Sequence, residues 1–345
     1  MLLNKTGRLE NWQLCVAPMM DWTDRHFRYF MRQIARHPLL YTEMITTAAI
    51  LHGDLNKLLD FSPEEAPVAI QLGGNRPEEL AQCAAIAEEW GYAEVNLNVG
   101  CPSDRVQRGQ FGASLMRHPE RVAECVAAMK SRCGLPITVK HRTGVDELDR
   151  YEDLAHFVAT VAQGGCKRFI VHVRKAWLGG LNPKENRRVP PLQYDFAYRL
   201  KRDFPHLQIV VNGGIRSLAE AAGHLARVDG VMIGRAAYEN PYLFAPADAL
   251  FFADPHPIPS REEIVVAMLP YLQNWRRQGL RPKRIIRHLF GLFAYQPGAR
   301  AWRRFLSENA HLPETDEKVL LRALEVLPKE VRTARPALPL LSGEP

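Results

Sequence analysis

Residues 209–235 read IVVNGGIRSLAEAAGHLARVDGVMIGR and contain two short apolar runs separated by a helix-like stretch. Residues 209–212 form the first run, which ends at two glycines, and residues 230–234 form the second. Apolar runs without polar alternation are typical of strands that are buried on both faces of a parallel sheet. Residues 218–227 can form the helix that commonly connects two parallel strands. The segment therefore predicts a βαβ unit.

Six similar runs precede this unit, and each is followed by a stretch with helical patterning. Residues 77–90, for example, carry apolar side chains at helical spacing and stop at Gly91. Eight alternations of strand and helix within about 235 residues predict an α/β fold, a (β/α)8 TIM barrel, with a doubly wound parallel sheet as the alternative. The predicted strands are residues 14–18, 39–43, 68–72, 94–98, 137–140, 169–172, 209–212 and 230–234.

Composition narrows the class of protein. The 345 residues are 46% hydrophobic and 24% charged, which is ordinary for a globular protein and excludes a disordered or collagen-like chain. The N-terminus lacks the apolar region of a signal peptide, and no apolar run approaches the roughly 18 residues of a membrane span. The six cysteines show neither a CxxC pair nor zinc-like spacing. We therefore expect a cytoplasmic protein with free thiols and no metal site.

The positive charge is concentrated between residues 275 and 305, which we call the basic segment. The chain has 45 basic and 38 acidic residues, and the basic segment holds nine of the former and none of the latter. Arginines interleaved with aromatic residues predict a nucleic-acid-binding face, and the alternative is a solvated helix whose aromatics face the core. The nine residues are Arg276, Arg277, Arg281, Lys283, Arg284, Arg287, Arg300, Arg303 and Arg304.

A change of pattern after the last predicted strand indicates a second domain. Residues 252–260 contain three prolines and predict a linker, because proline does not continue a helix. We expect a barrel domain over residues 1–250, a small C-terminal helical bundle over 261–330 and a disordered tail over 331–345. The bundle's predicted helices are residues 261–279, 282–295, 299–310 and 314–327.

Polar residues recur where the apolar strands end. In a barrel the active site lies at the carboxyl ends of the strands, so this recurrence predicts a site there. The residues at or just after these ends are Met19, Met20, Glu43, Gln71, Asn96, Asn98, Cys101, Lys140, His172, Asn212, Gly213, Gly214, Gly234 and Arg235.

Glycine-bearing turns follow the seventh and eighth strands, at Gly213-Gly214 and at Gly234-Arg235. This corner binds phosphate in many barrels, because glycine allows close backbone approach and an arginine adds charged hydrogen bonds. We expect a phosphorylated cofactor such as FMN. Lys140 could neutralise charge on a reduced flavin ring, whereas His172 could contact the same ligand or be structural.

Cys101 lies between Gly100 and Pro102, just past the fourth strand, in a predicted tight turn. A cysteine thiol is mostly protonated at neutral pH and could act as a general acid. A covalent nucleophile and an inert buried cysteine are the alternatives. The absence of a histidine next to Cys101 in the sequence favours proton donation.

Extended motifs surround these strand ends. With them the sequence resembles the tRNA-dihydrouridine synthases, specifically their A subfamily, over about residues 10–330. The motifs around Cys101 and in residues 175–187 are the most specific. The matching segments are APMMDWTDRH (17–26), QLGG (71–74), NLNVGCPS (96–103), KHRTG (140–144), HVRKAWL (172–178), PKENR (183–187), NGGI (212–215) and GR (234–235).

The resemblance implies an FMN enzyme that uses NADPH to reduce uridine to 5,6-dihydrouridine at positions 20 and 20a of the tRNA D-loop. In such an enzyme NADPH reduces the flavin, hydride is transferred to uracil C6, and Cys101 protonates C5. Asn98 would reach the flipped uridine, and Lys184, Arg187, Arg300 and Arg303 would contact the tRNA. The implied FMN-binding residues are Pro18, Met19, Met20, Gln71, Lys140, His172, Asn212, Gly213, Gly214, Gly234 and Arg235.

The resemblance implies neither a membrane partner nor an obligatory protein partner. The alternative function is that of a small-molecule FMN barrel, of the dihydropyrimidine or dihydroorotate dehydrogenase type. Such an enzyme would have no need of the basic segment. A non-catalytic RNA-binding protein would leave the polar strand ends without a role.

Overall fold

The protein forms a closed barrel of eight parallel strands, each hydrogen-bonded to the next and the eighth to the first. The structure is a computed structural model and describes residues 12–337. The predicted (β/α)8 barrel is thereby confirmed. The strands are β1 (Leu14–Val16), β2 (Leu39–Thr46), β3 (Val68–Gly73), β4 (Glu94–Val99), β5 (Ile137–Arg142), β6 (Arg168–His172), β7 (Gln208–Asn212) and β8 (Gly230–Ile233).

The chain divides into two compact units. The first contains Leu39–Gly234 and the described residues up to Asp21, and the second contains Trp22–Pro38 and the described residues from Arg235 onward. The division predicted at residues 250–260 differs from this one. The helices of the first unit are Thr47–His52, Leu55–Leu59, Pro77–Glu89, Asp104–Arg108, Pro119–Arg132, Tyr151–Gln163, Tyr194–Asp203 and Leu218–Leu225, with 3-10 turns at Pro63–Glu65, Gly112–Arg117 and Glu185–Arg187.

Both faces of the barrel strands are buried, but they differ in chemistry. Along β4, Val95, Leu97 and Val99 are fully buried, and the alternate residues are polar and also buried. Successive side chains of a strand point to opposite faces, so one face of β4 is apolar and the other is polar. The rest of the interior is filled by Trp12, Cys15, Ala17, Leu39, Tyr41, Ala69, Ile170, Val210 and Met232.

Two strands run further than their apolar runs predict. β2 continues to Thr46 and has an irregular register between Tyr41 and Met44. β5 continues to Arg142, which pairs with His172 of β6. Pairing with a neighbouring strand extends the ladder through polar residues that the hydrophobic pattern excludes.

The second unit is helical, and its first helix precedes most of the barrel in sequence. Asp24 caps helix Arg25–Arg32 and also accepts hydrogen bonds from Arg287 Nη2 at 2.6 Å and His288 Nε2 at 3.0 Å. These contacts explain why residues 22–38 group with the C-terminal helices. The helices are Arg25–Arg32, Arg235–Glu239, Ala247–Phe251, Arg261–Arg277, Lys283–Ile286, Ala299–Asn309, Val319–Glu325 and Lys329–Thr333, with 3-10 turns at Pro241–Phe244 and Arg287–Gly291.

Two parts of this unit differ from the sequence prediction. The single helix predicted over residues 282–295 is a short helix followed by the turn Arg287–Gly291. The prediction of a disordered tail from residue 331 is wrong for its first residues, because Lys329–Thr333 is helical and Val331 is buried. Residues 338–345 of that tail lie outside the described residues. No helix between residues 12 and 337 has the length and apolar character needed to cross a membrane.

The aromatic residues of the basic segment have different environments. Trp302 is fully buried, donates its indole N–H to Leu289 O at 3.0 Å and packs against Phe293. Tyr295, in contrast, is 85% exposed. Burial therefore accounts for Trp302 and Phe293, while Tyr295 remains available for contact with another molecule.

Candidate active site

Asn98, near the end of β4, holds the turn that carries Cys101. Its Oδ1 atom accepts hydrogen bonds from the backbone N–H groups of Gly100 at 3.1 Å and Cys101 at 2.9 Å. The Cys101 thiol is partly exposed, and its Sγ atom lies 3.5 Å from Ser103 Oγ. Asn98 thus holds the Cys101 backbone at the carboxyl end of the barrel, and the thiol itself contacts Ser103.

The other cysteines have a different environment. Burial raises the pKa of Cys15, Cys83, Cys125 and Cys166 to about 12, and burial also raises the pKa of Cys133. Thiols of this kind remain protonated and unreactive at neutral pH. Cys101, in contrast, is partly exposed and lies just after the end of β4.

Lys140 lies beside Asn98, because these two residues are register partners on β5 and β4. Burial, together with the nearby charge of Arg142, lowers the pKa of Lys140 to about 7. Burial, followed by the charges of Arg142 and Lys140, holds the pKa of His172 well below its usual range. Within residues 12–337 no carboxylate pairs with Lys140 or Arg142. This part of the site therefore favours an anionic ligand.

The turn after β7 is a close-packed glycine corner. Asn212 Nδ2 donates to Met232 O at 2.8 Å, and Tyr194 Oη donates to Gly213 O at 2.7 Å. Gly213 has a φ of +115°, and a Cβ atom there would lie 2.7 Å from the His172 ring. A side chain at this position would be strained and would displace His172.

The segment after β1 lies against the end of β8. A Cβ atom on Gly234 would be 3.7 Å from Ala17 Cβ and 3.9 Å from Met19 Sδ. Met19 packs on the barrel interior, whereas Met20 is exposed. Arg235, predicted to act with Gly234, begins the second unit.

The predicted tRNA-binding residues lie in three places. Asn98 is in the barrel, and Lys184 and Arg187 are exposed in the loop between β6 and helix Tyr194–Asp203. Arg300 and Arg303 are exposed on helix Ala299–Asn309 of the second unit.

Arg142 was not among the predicted site residues, yet it has several hydrogen-bond partners at the strand ends. Its Nε donates to Gly100 O at 3.0 Å, and its Nη1 donates to Lys175 O at 3.2 Å and Asn186 O at 2.9 Å. Burial lowers its pKa to about 10. One side chain therefore joins the Cys101 turn to the loop after β6. Its position two residues after Lys140, on the same face of β5, was the available signal.

Asn186 organises that loop from within. Its Nδ2 donates to Trp177 O and Leu181 O, both at 2.9 Å, and its Oδ1 accepts from Trp177 N at 2.8 Å. Lys175 Nζ lies 4.0 Å from the centre of the Trp177 ring. Trp177 thus has one face covered by a cation and retains an exposed fraction of 39%.

A closed parallel barrel with polar groups clustered at its strand ends defines a (β/α)8-barrel enzyme. The family model described as dihydrouridine synthase matches residues 15–328. The chain belongs to the dihydrouridine synthase family, and it is an enzyme that forms dihydrouridine. Enzymes of this family are generally flavin-dependent. The resemblance stated from the sequence is confirmed.

Curated relatives agree with the family match. A tRNA-dihydrouridine(20/20a) synthase of Synechocystis sp. is 59% identical over 312 residues, which cover 90% of this chain and 93% of that protein. The synthase of the same name from Vibrio cholerae is 55% identical over 317 residues, which cover 92% and 97%.

A solved structure of a 2-naphthoyl-CoA reductase in complex with 2-naphthoyl-CoA has a TM-score of 0.50 and 15% identity to this chain. The similarity covers 69% of this chain and 49% of that one, so the present chain spans about half of its length. At this identity the similarity shows the fold alone.

The lowered pKa of Lys140 predicts a pH dependence of stability in the flavin-free protein. The pKa of Lys140 is about 7 in the folded state and about 10.4 in the unfolded state, so the unfolded chain binds more protons between these values. The contribution of Lys140 to the free energy of unfolding therefore rises with pH across this window. We expect the difference between native protein and Lys140→Met to rise from about pH 7 to about pH 10.

Urea unfolding at a series of pH values measures this difference. Lys167→Met, which removes an exposed lysine, is the matched control. If the difference in unfolding free energy between the native protein and Lys140→Met stays constant from pH 7 to pH 10, Lys140 does not have a lowered pKa in the folded protein.

Proposed function

We propose that this enzyme reduces uridine to 5,6-dihydrouridine at positions 20 and 20a of the tRNA D-loop, using FMN and NADPH. The names of relatives that are 59% and 55% identical support the substrate and the positions. The observation that carries the proposed chemistry is the placement of the partly exposed Cys101 thiol by Asn98, beside Lys140.

The residues at the strand ends fit a flavin phosphate. Gly213 and Gly214 both have positive φ values, which give the turn after β7 a backbone conformation that other residues rarely adopt. Lys140 and Arg142 supply positive charge that no carboxylate within the described chain neutralises. The residues proposed to hold FMN are Pro18, Met19, Met20, Gln71, Lys140, His172, Asn212, Gly213, Gly214, Gly234 and Arg235.

FMN, when bound by these residues, would supply the hydride for uracil C6, with NADPH as the reductant. Cys101 donates the proton that C5 needs, so the C5–C6 double bond gains one hydrogen at each carbon. Lys140 and Arg142 place positive charge beside the Cys101 turn. Asn98 positions the thiol through the Cys101 N–H and directs an amide toward the base.

A base in folded tRNA must leave its stack to reach a barrel mouth, so the enzyme needs contacts that hold the RNA. The basic segment is proposed to bind the phosphate backbone, together with Lys184 and Arg187 of the first unit. Most of its cations are available, because they form no ion pair with any residue between 12 and 337. These exposed residues are Arg277, Arg281, Lys283, Arg284, Arg300 and Arg303.

The direct test uses purified enzyme, NADPH and an unmodified tRNA transcript. We expect a protein with flavin absorption that forms dihydrouridine at positions 20 and 20a, located by mass spectrometry. A flavoprotein that oxidises NADPH and leaves the transcript unchanged would favour the small-molecule barrel reductase instead.

Removing the proposed proton donor should separate binding from turnover. Cys101→Ala is expected to retain flavin and tRNA binding. Its rate of dihydrouridine formation should fall by a factor of about a hundred or more, the usual contribution of a positioned general acid. Cys133→Ala is the matched control, because Cys133 is also partly buried and follows helix Pro119–Arg132, away from the strand ends. Unchanged turnover in Cys101→Ala would remove the proton-donor role.

The basic segment predicts a salt-dependent contribution to tRNA affinity. The double variant Arg300→Glu, Arg303→Glu should weaken tRNA binding about tenfold or more and make its salt dependence shallower, at constant flavin content. The control is Arg132→Glu, Arg202→Glu, which changes the net charge equally at exposed positions in the last turns of two barrel helices. Equal affinities of the two double variants would refute a specific role for Arg300 and Arg303.

A further inference from the structure

Tyr194 connects the start of helix Tyr194–Asp203 with the glycine turn after β7. Its hydroxyl donates to Gly213 O at 2.7 Å. A carbonyl oxygen can only accept a hydrogen bond, so the hydroxyl must be the donor. A Cβ atom on Gly214 would lie 2.6 Å from Tyr194 Oη, so the hydroxyl also packs directly against the second glycine. Tyr194 therefore contacts both residues of the turn.

The peptide that joins Gly213 to Gly214 depends on this hydroxyl for its orientation. Its carbonyl oxygen accepts from Tyr194, and its N–H group, which belongs to Gly214, donates to no residue between 12 and 337. The N–H groups of Gly213 and Ile215 also have no acceptor in that part of the chain. Among the described residues, Tyr194 thus makes the hydrogen bond that holds this peptide, and three successive N–H groups remain available to a ligand.

The orientation of this peptide decides which of its polar groups a ligand meets. The peptide is trans, so its carbonyl and its N–H point in opposite directions. With the carbonyl held by Tyr194, the N–H of Gly214 points away from helix Tyr194–Asp203. Gly213 and Gly214 have φ values of +115° and +78°, and glycine has the backbone freedom that a reversal of this peptide needs. A reversed peptide would present a carbonyl oxygen, which repels an anion, in place of the N–H.

The Tyr194 ring is itself held in place by the helix that follows the turn. The centre of the ring lies 4.6 Å from the centre of the His224 ring, on helix Leu218–Leu225. Burial raises the pKa of Tyr194, so its hydroxyl stays protonated at neutral pH and remains a donor. The position of the donor is therefore set by packing that does not involve the turn.

We propose that Tyr194 is a positioning residue that holds the Gly213–Gly214 peptide with its N–H toward the phosphate of FMN, and so favours a phosphorylated flavin over one without phosphate. Successive backbone N–H groups in a turn form a concave site for anions. Tyr194 acts through the turn and lies outside the residues proposed to hold FMN. This inference rests on the proposed function, because it takes the ligand of the glycine turn to be FMN.

Riboflavin is the probe that tests this inference, because it is FMN without the phosphate. The full-length, FMN-loaded protein is equilibrated with rising concentrations of riboflavin, and the released FMN is separated by filtration and quantified. This competition gives the ratio of the two dissociation constants. A general loss of packing around the flavin ring weakens both ligands together and leaves the ratio unchanged. A reversed peptide weakens FMN alone.

Tyr194→Phe removes the hydroxyl and keeps the ring. We expect its preference for FMN over riboflavin to fall about tenfold, the effect of one net hydrogen bond. Tyr198→Phe is the matched control, because Tyr198 lies on the same helix and its hydroxyl is hydrogen-bonded to His224 Nδ1 at 2.7 Å rather than to the turn. The preference of Tyr198→Phe should stay within about twofold of the native value.

A Tyr194→Phe protein whose preference stays within about twofold of the native value would overturn the proposal, and so would an equal fall in both variants. If Tyr194→Phe does not fold, Tyr194→His replaces it under the same criterion, because an imidazole keeps a flat ring but is too short to reach Gly213 O. A native protein that binds flavin without preferring FMN to riboflavin would overturn the proposed FMN site, and this inference with it.

Discussion

The Glu94 carboxylate lies inside a closed barrel, and much of the site depends on how its charge and lone pairs are satisfied. A buried carboxylate without partners is strongly destabilising, so the interior must supply a cation and several donors. At the floor of the barrel Arg168 supplies the cation, and Tyr41 and Thr138 both donate to Glu94 Oε1. Asn96 Nδ2 donates to Thr138 Oγ1, and Gln71 and Asn98 continue this series of hydrogen bonds. Side-chain hydrogen bonds therefore connect the floor of the barrel with the Cys101 turn.

The barrel could be predicted from the sequence, because its outward-facing strand residues pack beneath helices and are apolar. The runs around Val95 and Val211 therefore indicate strands, whatever residues lie between those runs. The inward side could not be predicted in the same way, since Glu94 and Thr138 resemble strand-end or surface residues when read alone. Their positions follow from the pairing of β4 with β5, which places Thr138 beside Asn96 and within 2.7 Å of Glu94 Oε1. Arg142 was missed for a related reason, because ladder pairing with β6 carries β5 past Lys140.

The helical unit was harder to predict, because tertiary contacts there override local patterning. Residues 282–295 carry helical periodicity, yet a Cβ atom on Gly291 would lie 2.7 Å from Tyr238 O. The backbone at Gly291 is thus packed closely against another segment, and the helix gives way to a 3-10 turn before this point. Asp24 likewise depends on distant residues, because it contacts Arg287 and His288, which are 263 and 264 residues away in the sequence. Periodicity within a window contains no information about such contacts.

The two ends of the barrel differ in whether their buried positive charges are paired with a carboxylate. At the floor, Arg168 is matched by Glu94, and despite burial the negative charge of Glu94 helps to keep the pKa of Arg168 above its usual value. At the strand ends, burial lowers the pKa values of Lys140, Arg142 and His172, and no carboxylate within the described residues pairs with Lys140 or Arg142. Positive groups held in this way destabilise the free protein and are stabilised when an anion binds. Charge is therefore paired at the floor of the barrel, and the unpaired charge at the strand ends favours a phosphorylated ligand. A carboxylate placed near Lys140 would stabilise the free enzyme and weaken that affinity by the same electrostatic interaction.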